Sequence, residues 1–237
     1  MTQLVSYRAD GRVATITMDD GKVNVLSPAM QAAIGAALDR AEADGMVVLL
    51  TGRPGILSAG FDLTVLRAGG DPAQQMVRGG FELAVRLLSF PAPVVIACPG
   101  HAIAMAAFLL LSADYRLGAD GPYKITANEV SIGLEIPQAA IEICRQRLTP
   151  AAHSRALLLS EVFGPGQGLL AGWLDRVVPA ADLAGAAADL AAGLAQLDPV
   201  AHAASKQRLR GPVAAAVAAA LEADYGRMGT RGQVAAR

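Results

Sequence analysis

Residues 57–63 read Leu-Ser-Ala-Gly-Phe-Asp-Leu, and they follow the apolar run Val47–Leu50 and the Gly/Pro-containing segment Thr51–Gly55. This order predicts a buried strand, a loop, and then a tight turn of small residues that is closed by an acid. Because Ala59 and Gly60 carry little or no side chain, the turn can bring backbone N–H groups close to a ligand carbonyl. The stretch therefore predicts either a tight corner or half of an anion-stabilising site, and the rest of the chain decides between them.

Strand-like segments recur over the first half of the chain. Alternating or continuous apolar residues predict six strands: Leu4–Arg8, Val13–Met18, Val47–Thr51, Val94–Ala97, Tyr115–Leu117 and Tyr123–Thr126. Asp10-Gly11 is typical of a hairpin turn between the first two strands. Ser27-Pro28 predicts the start of a helix, because serine caps the helix and proline suits its first position.

The C-terminal part of the chain is almost entirely helical in pattern from Pro137 onward. A short extended piece is predicted over Trp173–Val178, and Gly211-Pro212 predicts a helix break. The last helix carries an apolar stripe formed by Val213, Val217, Leu221, Tyr225 and Met228. Strand–helix units followed by helices predict an α/β fold, with a core over residues 1–190 and a helical region over residues 191–237.

Composition and charge limit the classes of partner. The chain has 237 residues, of which 53% are hydrophobic, so it can bury a large core. Its formal net charge of −1 gives no signal for nucleic acid or a membrane surface. The apolar run Ala102–Leu111 is too short to span a bilayer and predicts a buried helix. The N-terminus has no basic segment followed by a long apolar run, so we expect a cytoplasmic protein without nucleic-acid or membrane partners.

Cysteines and histidines give no metal pattern. Cys98 and Cys144 lie in apolar surroundings without metal-ligand spacing, so we expect buried reduced thiols. His101, His153 and His202 are scattered, and we interpret them as packing residues. The phosphate-binding and dinucleotide-binding glycine patterns do not occur, so we expect no cofactor.

Three stretches in fixed order carry a family resemblance: residues 57–63 after a strand, Gly100–Arg116 (GHAIAMAAFLLLSADYR) and Asn128–Pro137 (NEVSIGLEIP). Together with Gly164–Pro179 (GPGQGLLAGWLDRVVP), they resemble the crotonase, or enoyl-CoA hydratase/isomerase, superfamily. The resemblance implies a crotonase-like spiral of ββα units and a C-terminal helical region that mediates trimerisation. It also implies homotrimers or dimers of trimers, and an acyl-CoA thioester substrate of which coenzyme A is a part.

The resemblance assigns two backbone N–H donors that stabilise a thioester enolate. The first is the amide of Phe61, which follows Ala-Gly in the opening stretch. The second is the amide of Met105, at the start of a helix whose dipole adds a favourable field. The family usually has glycine at this second position, so we expect the Met105 side chain to turn away from the substrate.

Glu129 is the residue that the resemblance implies as the acid/base. A carboxylate in an apolar cleft has a raised pKa and becomes a usable proton shuttle. Hydratases of the family carry a second glutamate on the helix where this chain has Phe108. Because a double-bond shift needs one base whereas hydration also needs an activated water, Phe108 favours isomerisation. Glu135 is either a second catalytic acid or an acid at a helix N-terminus.

The resemblance also implies contacts with the substrate and its coenzyme A part. The expected substrate-binding residues are Lys22, Val25, Ala59, Asp62, Leu63, Phe108 and Lys206. Lys22 equally fits an exposed hairpin lysine, Lys206 fits a solvated helix face, and Asp62 fits a loop cap.

These residues are compatible with several functions. The favoured one is Δ3-Δ2 enoyl-CoA isomerisation with Glu129 as a single shuttle. The alternatives are hydration with Glu135 as a second acid, another crotonase reaction such as thioester hydrolysis or decarboxylation, and acyl-CoA binding with little catalysis. Retention of Glu129 argues against a pure binding protein, because burial of an unused base has no benefit.

Overall fold

The computed structural model describes the backbone of residues 3–234 and the side chains of residues 3–225. The strands of this part are β1 (Val5–Asp10), β2 (Val13–Met18), β3 (Val47–Thr51), β4 (Gly55–Ser58), β5 (Val94–Cys98), β6 (Gly100–Ile103), β7 (Tyr115–Asp120), β8 (Ile125–Thr126) and β9 (Arg176–Pro179). The helices are α1 (Pro28–Ala43), α2 (Leu63–Ala68), α3 (Gly70–Ser89), α4 (Met105–Ser112), α5 (Gln138–Arg145), α6 (Pro150–Leu159), α7 (Pro165–Ala171), α8 (Leu183–Leu194) and α9 (Pro199–Val234).

The strands form two sheets. The larger has the order β1-β2-β3-β5-β7-β9, in which β1 and β2 form an antiparallel hairpin and the other neighbours are parallel. The smaller has the order β4-β6-β8 and is parallel throughout. Each small strand follows a strand of the large sheet after a few residues, and a helix comes next. This repeated ββα unit confirms the α/β fold with C-terminal helices that the sequence predicts.

Successive side chains of the large sheet point to opposite faces, and both faces are buried. In β3, Val48 and Leu50 pack into the core shared with the helices α1, α3 and α4. Val47 and Leu49 pack into a second core on the other face, which α8 covers. Every residue of β5 is buried, as expected for a central parallel strand.

Local signals place several elements where the sequence predicts them. The Ser27 side chain accepts a hydrogen bond from the Met30 N–H at 3.2 Å, and Pro28 opens α1. All eight residues of α4 are buried, so the apolar run is a core helix. Among the described residues, no helix is both long and apolar enough to cross a membrane.

Two predictions about elements were wrong. The sequence reading missed β4 and β6, because four residues that begin with glycine carry no clear period. The predicted break at Gly211-Pro212 does not occur, and α9 continues through Pro212. Proline removes only its own N–H, and the buried residues Val217 and Leu221 continue the helix against its neighbours. The predicted stripe residue Met228 lies outside the described side chains.

The division of the chain at residue 190 stays a prediction. It falls within α8, so the last turn of this helix would belong to the C-terminal region. That region consists otherwise of α9, which packs against α3 and α5.

Candidate active site

A cavity of about 400 Å³ opens where the loop after β4, the helices α3 and α4, and the segment after β8 meet. It is mostly apolar, with a few polar side chains in its wall. The residues that line it are Ala59, Phe61, Leu63, Leu66, Val77, Phe81, Ala104, Phe108, Asn128, Glu129, Ile132, Leu134, Glu135, Ile136, Pro137, Gln138, Ile141, Leu221 and Asp224. An apolar cavity with few convergent polar groups is the usual form of a small-molecule site.

The turn after β4 brings the first expected amide to this cavity. Gly60 has φ +84°, and its N–H donates to the Ser58 hydroxyl at 3.0 Å. A Cβ atom on Gly60 would lie 2.8 Å from the Ile103 carbonyl oxygen and 3.4 Å from the Met105 nitrogen. The turn that leads to Phe61 therefore lies directly against the turn that leads to Met105.

The second expected amide stands at the start of α4. Ala104, the residue before Met105, has φ 52° and ψ −123°, a conformation that only glycine adopts easily. The hydrogen bonds of the described residues include none donated by the N–H of Phe61 or Met105. Met105 is fully buried and is not among the residues that line the cavity. The turns that carry these two backbone donors therefore lie against each other.

Glu129 lies in the cavity wall three positions after the end of β8, where a short 3-10 turn begins. Its side chain is 8% exposed, and burial raises its pKa from 4.5 to about 7. Its Oε2 atom is buried and has no hydrogen-bond partner among the described residues, and the same holds for Oδ1 of Asn128. A carboxyl group in this state is available as a base at neutral pH.

The place of a second acid on α4 is taken by an aromatic wall. Phe108 is buried, lines the cavity, and stacks on Phe81 of α3 with ring centroids 6.2 Å apart. Glu135 also lines the cavity, but its side chain is exposed. The structure therefore places Glu129 in a buried environment and Glu135 in a solvent-exposed one.

The remaining expected substrate contacts divide into two groups. Ala59 and Leu63 line the cavity. Asp62 does not line it, and instead its side chain accepts from the Thr64 N–H at 2.8 Å and caps α2, which is the capping alternative. Lys22 and Val25 lie on the loop before α1, outside the cavity wall, with Lys22 exposed.

The structure corrects the placement of Lys206. The residue is 6% exposed, and its Nζ atom forms an ion pair with Asp114 Oδ2 at 2.6 Å and donates to the Ala92 carbonyl at 3.2 Å. It therefore lies neither at the cavity nor on a solvated face. Sequence alone gives no sign that this face of α9 packs against the end of α4.

The structure gives packing contacts for His101 and buries both cysteines. His101 Nδ1 accepts from the Lys124 N–H at 3.0 Å, and its ring lies edge-on to Tyr123 at 5.6 Å. Cys98 and Cys144 are buried free thiols. Within the described residues, no cluster of three or more His, Cys, Asp or Glu side chains is arranged to hold a metal.

Sequence reasoning missed several residues of the cavity wall. Val77 and Phe81 belong to an apolar helix stripe, which signals burial but does not reveal a cavity. Leu221 and Asp224 come from α9, more than 80 residues after Glu129 in the chain, so only the tertiary fold brings them together. For Asn128, the sequence offers no signal beyond its place next to Glu129.

Comparisons with known proteins agree with this geometry. The chain matches the enoyl-CoA hydratase/isomerase family over residues 8–235. It is 33% identical over 185 residues to human mitochondrial enoyl-CoA delta isomerase 1, covering 74% of this chain and 60% of the human protein, so the match spans about three fifths of that relative.

Solved structures give the same result. The fold is similar to that of an enoyl-CoA hydratase/isomerase family protein from Pseudomonas syringae, with a TM-score of 0.93, 46% identity, and coverage of 95% of this chain and 98% of the other. It is also similar to a probable enoyl-CoA hydratase from Mycobacterium tuberculosis, with a TM-score of 0.94, 44% identity, and coverage of 99% and 100%. The matched family, the two-sheet fold and the cavity agree, and this chain belongs to the enoyl-CoA hydratase/isomerase family of the crotonase superfamily.

Proposed function

We propose that this protein is a Δ3-Δ2 enoyl-CoA isomerase in which Glu129 is the only proton shuttle. The observation that supports this most is the buried carboxyl group of Glu129, which has a pKa of about 7 in a mostly apolar cavity. A phenylalanine, Phe108, occupies the helix position where a second acid would stand. One base and two amide donors are sufficient for a double-bond shift.

The proposed reaction moves one proton and no other atom. The Glu129 carboxylate removes a proton from C2 of a 3-enoyl thioester, and the electrons delocalise onto the thioester oxygen. The N–H groups of Phe61 and Met105 stabilise this oxyanion, each contributing about 2.7–4 kcal/mol in favourable sites. The protonated Glu129 then returns the proton to C4, which leaves the double bond between C2 and C3.

Burial serves both halves of this reaction. Desolvation raises the pKa of Glu129 to about 7, so that at neutral pH it is present in comparable amounts as base and acid. The Phe108–Phe81 wall excludes water beside the acyl chain, which disfavours addition of water to the 2-enoyl product.

A second candidate function is hydration, and the position of Glu135 in the cavity lining favours it. In this reaction Glu135 would help to activate a water molecule while Glu129 protonates C2. A further alternative is acyl-CoA binding without turnover. The desolvated Glu129 argues against it, because a binding protein gains nothing from an unpaired buried carboxylate.

The test is turnover of trans-3-enoyl-CoA and trans-2-enoyl-CoA by the wild type and two matched variants. We expect Glu129→Gln to lower isomerisation about 10²–10⁴-fold, because it removes the proton shuttle. Glu135→Gln should change it by less than about threefold, because the exposed carboxylate is not needed for a one-base reaction.

Three other outcomes would change the assignment. Unchanged isomerisation by Glu129→Gln would refute the proposal. Faster hydration than isomerisation, lost in Glu135→Gln, would assign the hydratase function. Calorimetric binding of both esters with no turnover would leave the binding function.

The acyl-CoA ligand, the absence of a separate cofactor and the homotrimeric or hexameric state are parts of the same proposal. Each has a direct measurement: calorimetry with acyl-CoA, activity after extensive dialysis against chelator, and mass by analytical ultracentrifugation. A monomeric mass would contradict the expected assembly without affecting the chemistry.

A further inference from the structure

Asn24 is a fully buried polar side chain outside the cavity wall, on the loop between β2 and α1. Its Nδ2 group donates to the carbonyl oxygens of Met18 at 3.0 Å and Leu57 at 3.1 Å. Its Oδ1 atom accepts from the Asp20 N–H at 3.0 Å. Its φ of 54° lies in the left-handed region, which asparagine tolerates better than most residues.

The bond to Leu57 connects Asn24 to the turn that carries the first amide of the site. Two further bonds join the same loop to the same turn. The Ala59 N–H donates to the Val23 carbonyl at 2.9 Å, and the Leu26 N–H donates to the Gly60 carbonyl at 2.8 Å. Three hydrogen bonds from one four-residue loop thus fix the segment 57–60.

The last of these bonds sets the direction of the Phe61 N–H. The carbonyl of Gly60 and the N–H of Phe61 belong to one planar trans peptide group, so they point in opposite directions. Because the Leu26 N–H holds the Gly60 carbonyl, the Phe61 N–H is turned away from the loop. Hydrogen-bond strength falls steeply as the donor angle departs from linearity. This orientation therefore determines how strongly the Phe61 N–H can bind a thioester oxygen.

The loop itself is held in shape from its other side. The Asp20 carboxylate accepts from the N–H groups of Lys22, Asn24 and Val25 at 2.7, 2.9 and 3.0 Å. These bonds lower the pKa of Asp20 against the opposing effect of burial. Asn24 is therefore the one side chain of this loop that bonds both to the loop start, at Asp20, and to the site turn, at Leu57.

We propose that Asn24 is a positioning residue for the oxyanion site, which acts through Leu57 and the loop 23–26 to aim the Phe61 N–H at the thioester oxygen. The inference rests on the proposed function only in requiring that the cavity binds a thioester carbonyl. It assigns no contact between Asn24 and substrate.

The test measures hydrogen bonding to the thioester carbonyl directly, through its stretching frequency, and this measurement does not require turnover. A saturated acyl-CoA with a ¹³C-labelled thioester carbonyl is bound to the wild type, and its stretching frequency is measured by isotope-edited infrared difference spectroscopy. Hydrogen bonds from the two amides should lower this frequency relative to the free ester. Asn24→Gly keeps the backbone conformation and removes the three side-chain bonds, so it should lose much of the shift and lower kcat about tenfold or more with little change in KM.

Two further variants separate positioning from general loosening. Asn24→Asp keeps the size and the acceptor but loses both donors, so it should resemble Asn24→Gly and serves if that variant does not fold. Arg147→Met is the control, because Arg147 also donates to two backbone carbonyls, those of Ala113 at 3.0 Å and Asp114 at 3.2 Å, and neither belongs to the loop 23–26 or to the segment 57–60. It should lower Tm similarly but keep most of the frequency shift.

Three results would overturn the inference: an unchanged shift in both Asn24 variants, an equal loss in Arg147→Met, or a wild type that binds the ester without any shift. A wild type that shows the shift but does not isomerise 3-enoyl-CoA would refute the proposed function and leave this inference standing.

Discussion

At the scale of single residues, the site depends on two groups that the fold leaves in unfavourable states. Glu129 is a carboxyl group removed from water without a partner for Oε2, and Ala104 adopts a backbone conformation suited to glycine. Both lie where the proposed chemistry takes place. Buried unpaired polar atoms and strained backbone are costly, and they persist at sites where another part of the structure maintains them.

The pH dependence of stability should reveal the state of Glu129. Its pKa is about 7 in the folded chain and about 4.5 unfolded, so the folded state holds more protons between these values. The stabilising contribution is present below pH 4.5 and is lost as pH rises through 7. Relative to the wild type, Glu129→Gln should therefore gain about 3 kcal/mol in unfolding free energy between pH 4.5 and pH 8.

Urea unfolding at several pH values measures this difference. Parallel stability curves for the wild type and Glu129→Gln would contradict it. The same protonation should appear in catalysis, with kcat for isomerisation rising with pH through about 7 as the base form becomes populated.

The strain at Ala104 gives a second prediction. Strained backbone of this kind costs about 1–3 kcal/mol, whereas glycine loses about 0.4–1 kcal/mol through its greater freedom in the unfolded chain. We expect Ala104→Gly to raise the unfolding free energy by about 1 kcal/mol. Ala113→Gly is the control, since Ala113 has an ordinary extended backbone, φ −73° and ψ 161°, and should lose stability. Thermal unfolding that shows losses of equal size in both variants would contradict the strain.

At the scale of secondary-structure elements, the site lies where two successive ββα units touch. The turn after β4 and the turn after β6 meet because β4 and β6 pair in parallel, Gly55 opposite Gly100. The sequence predicts the turn and the buried helix α4 from composition and period alone. It does not predict the small sheet, because strands of four, four and two residues have too few positions to show an alternation.

The contact between the two turns can be tested at Gly60. A methyl group there would meet the Ile103 carbonyl at 2.8 Å, and φ +84° adds strain. Gly60→Ala should lower both stability and kcat, because the turns must separate. The control is Gly45→Ala, with φ +63° and open space around the added methyl group, which carries the strain without the clash.

Chemical denaturation and turnover measure the two effects. Stability should fall by more than about 1 kcal/mol in Gly60→Ala, with a smaller loss and unchanged kcat in Gly45→Ala. Identical behaviour of the two variants would mean that the approach of the turns does not matter for catalysis.

At the scale of the whole molecule, α9 is tied to the core through buried charges. Asp114, at the end of α4, accepts from the Val94 N–H at 2.8 Å and pairs with Lys206 at 2.6 Å and Arg210 at 3.5 Å. Burial lowers the pKa of Lys206 and Arg210, and the charge of Asp114 opposes this effect. These contacts hold the helix that supplies Leu221 to the cavity wall.

Removal of the shared negative charge should be strongly destabilising. Asp114→Asn leaves two buried cations without their partner, and we expect a loss of about 3–5 kcal/mol in unfolding free energy. The control is Arg155→Ala, which breaks the exposed pair with Glu161 and should cost less than about 1 kcal/mol. Guanidinium unfolding measures both, and a loss below 1 kcal/mol in Asp114→Asn would contradict the role of the cluster.

How much could be predicted from the sequence depends on how far apart in the chain the interacting residues lie. The cap at Ser27, the hairpin at Asp10-Gly11 and the burial of α4 depend on neighbouring residues, and the structure confirms them. The surroundings of Lys206 depend on residue 114, which is 92 positions away, and no local pattern contains them. The resemblance supplied the site residues that local patterns could not.

The small sheet has a further consequence for the order of folding. Its pairings join residues 55 and 100, and then 102 and 125, by few hydrogen bonds, whereas the large sheet has longer pairings and an apolar core on each face. Contacts that close long loops for few bonds form late and open first. A chain with its large sheet complete should therefore pass through a compact but inactive stage. In hydrogen exchange, the amides of β4 and β6 should lose protection before those of β3 and β5.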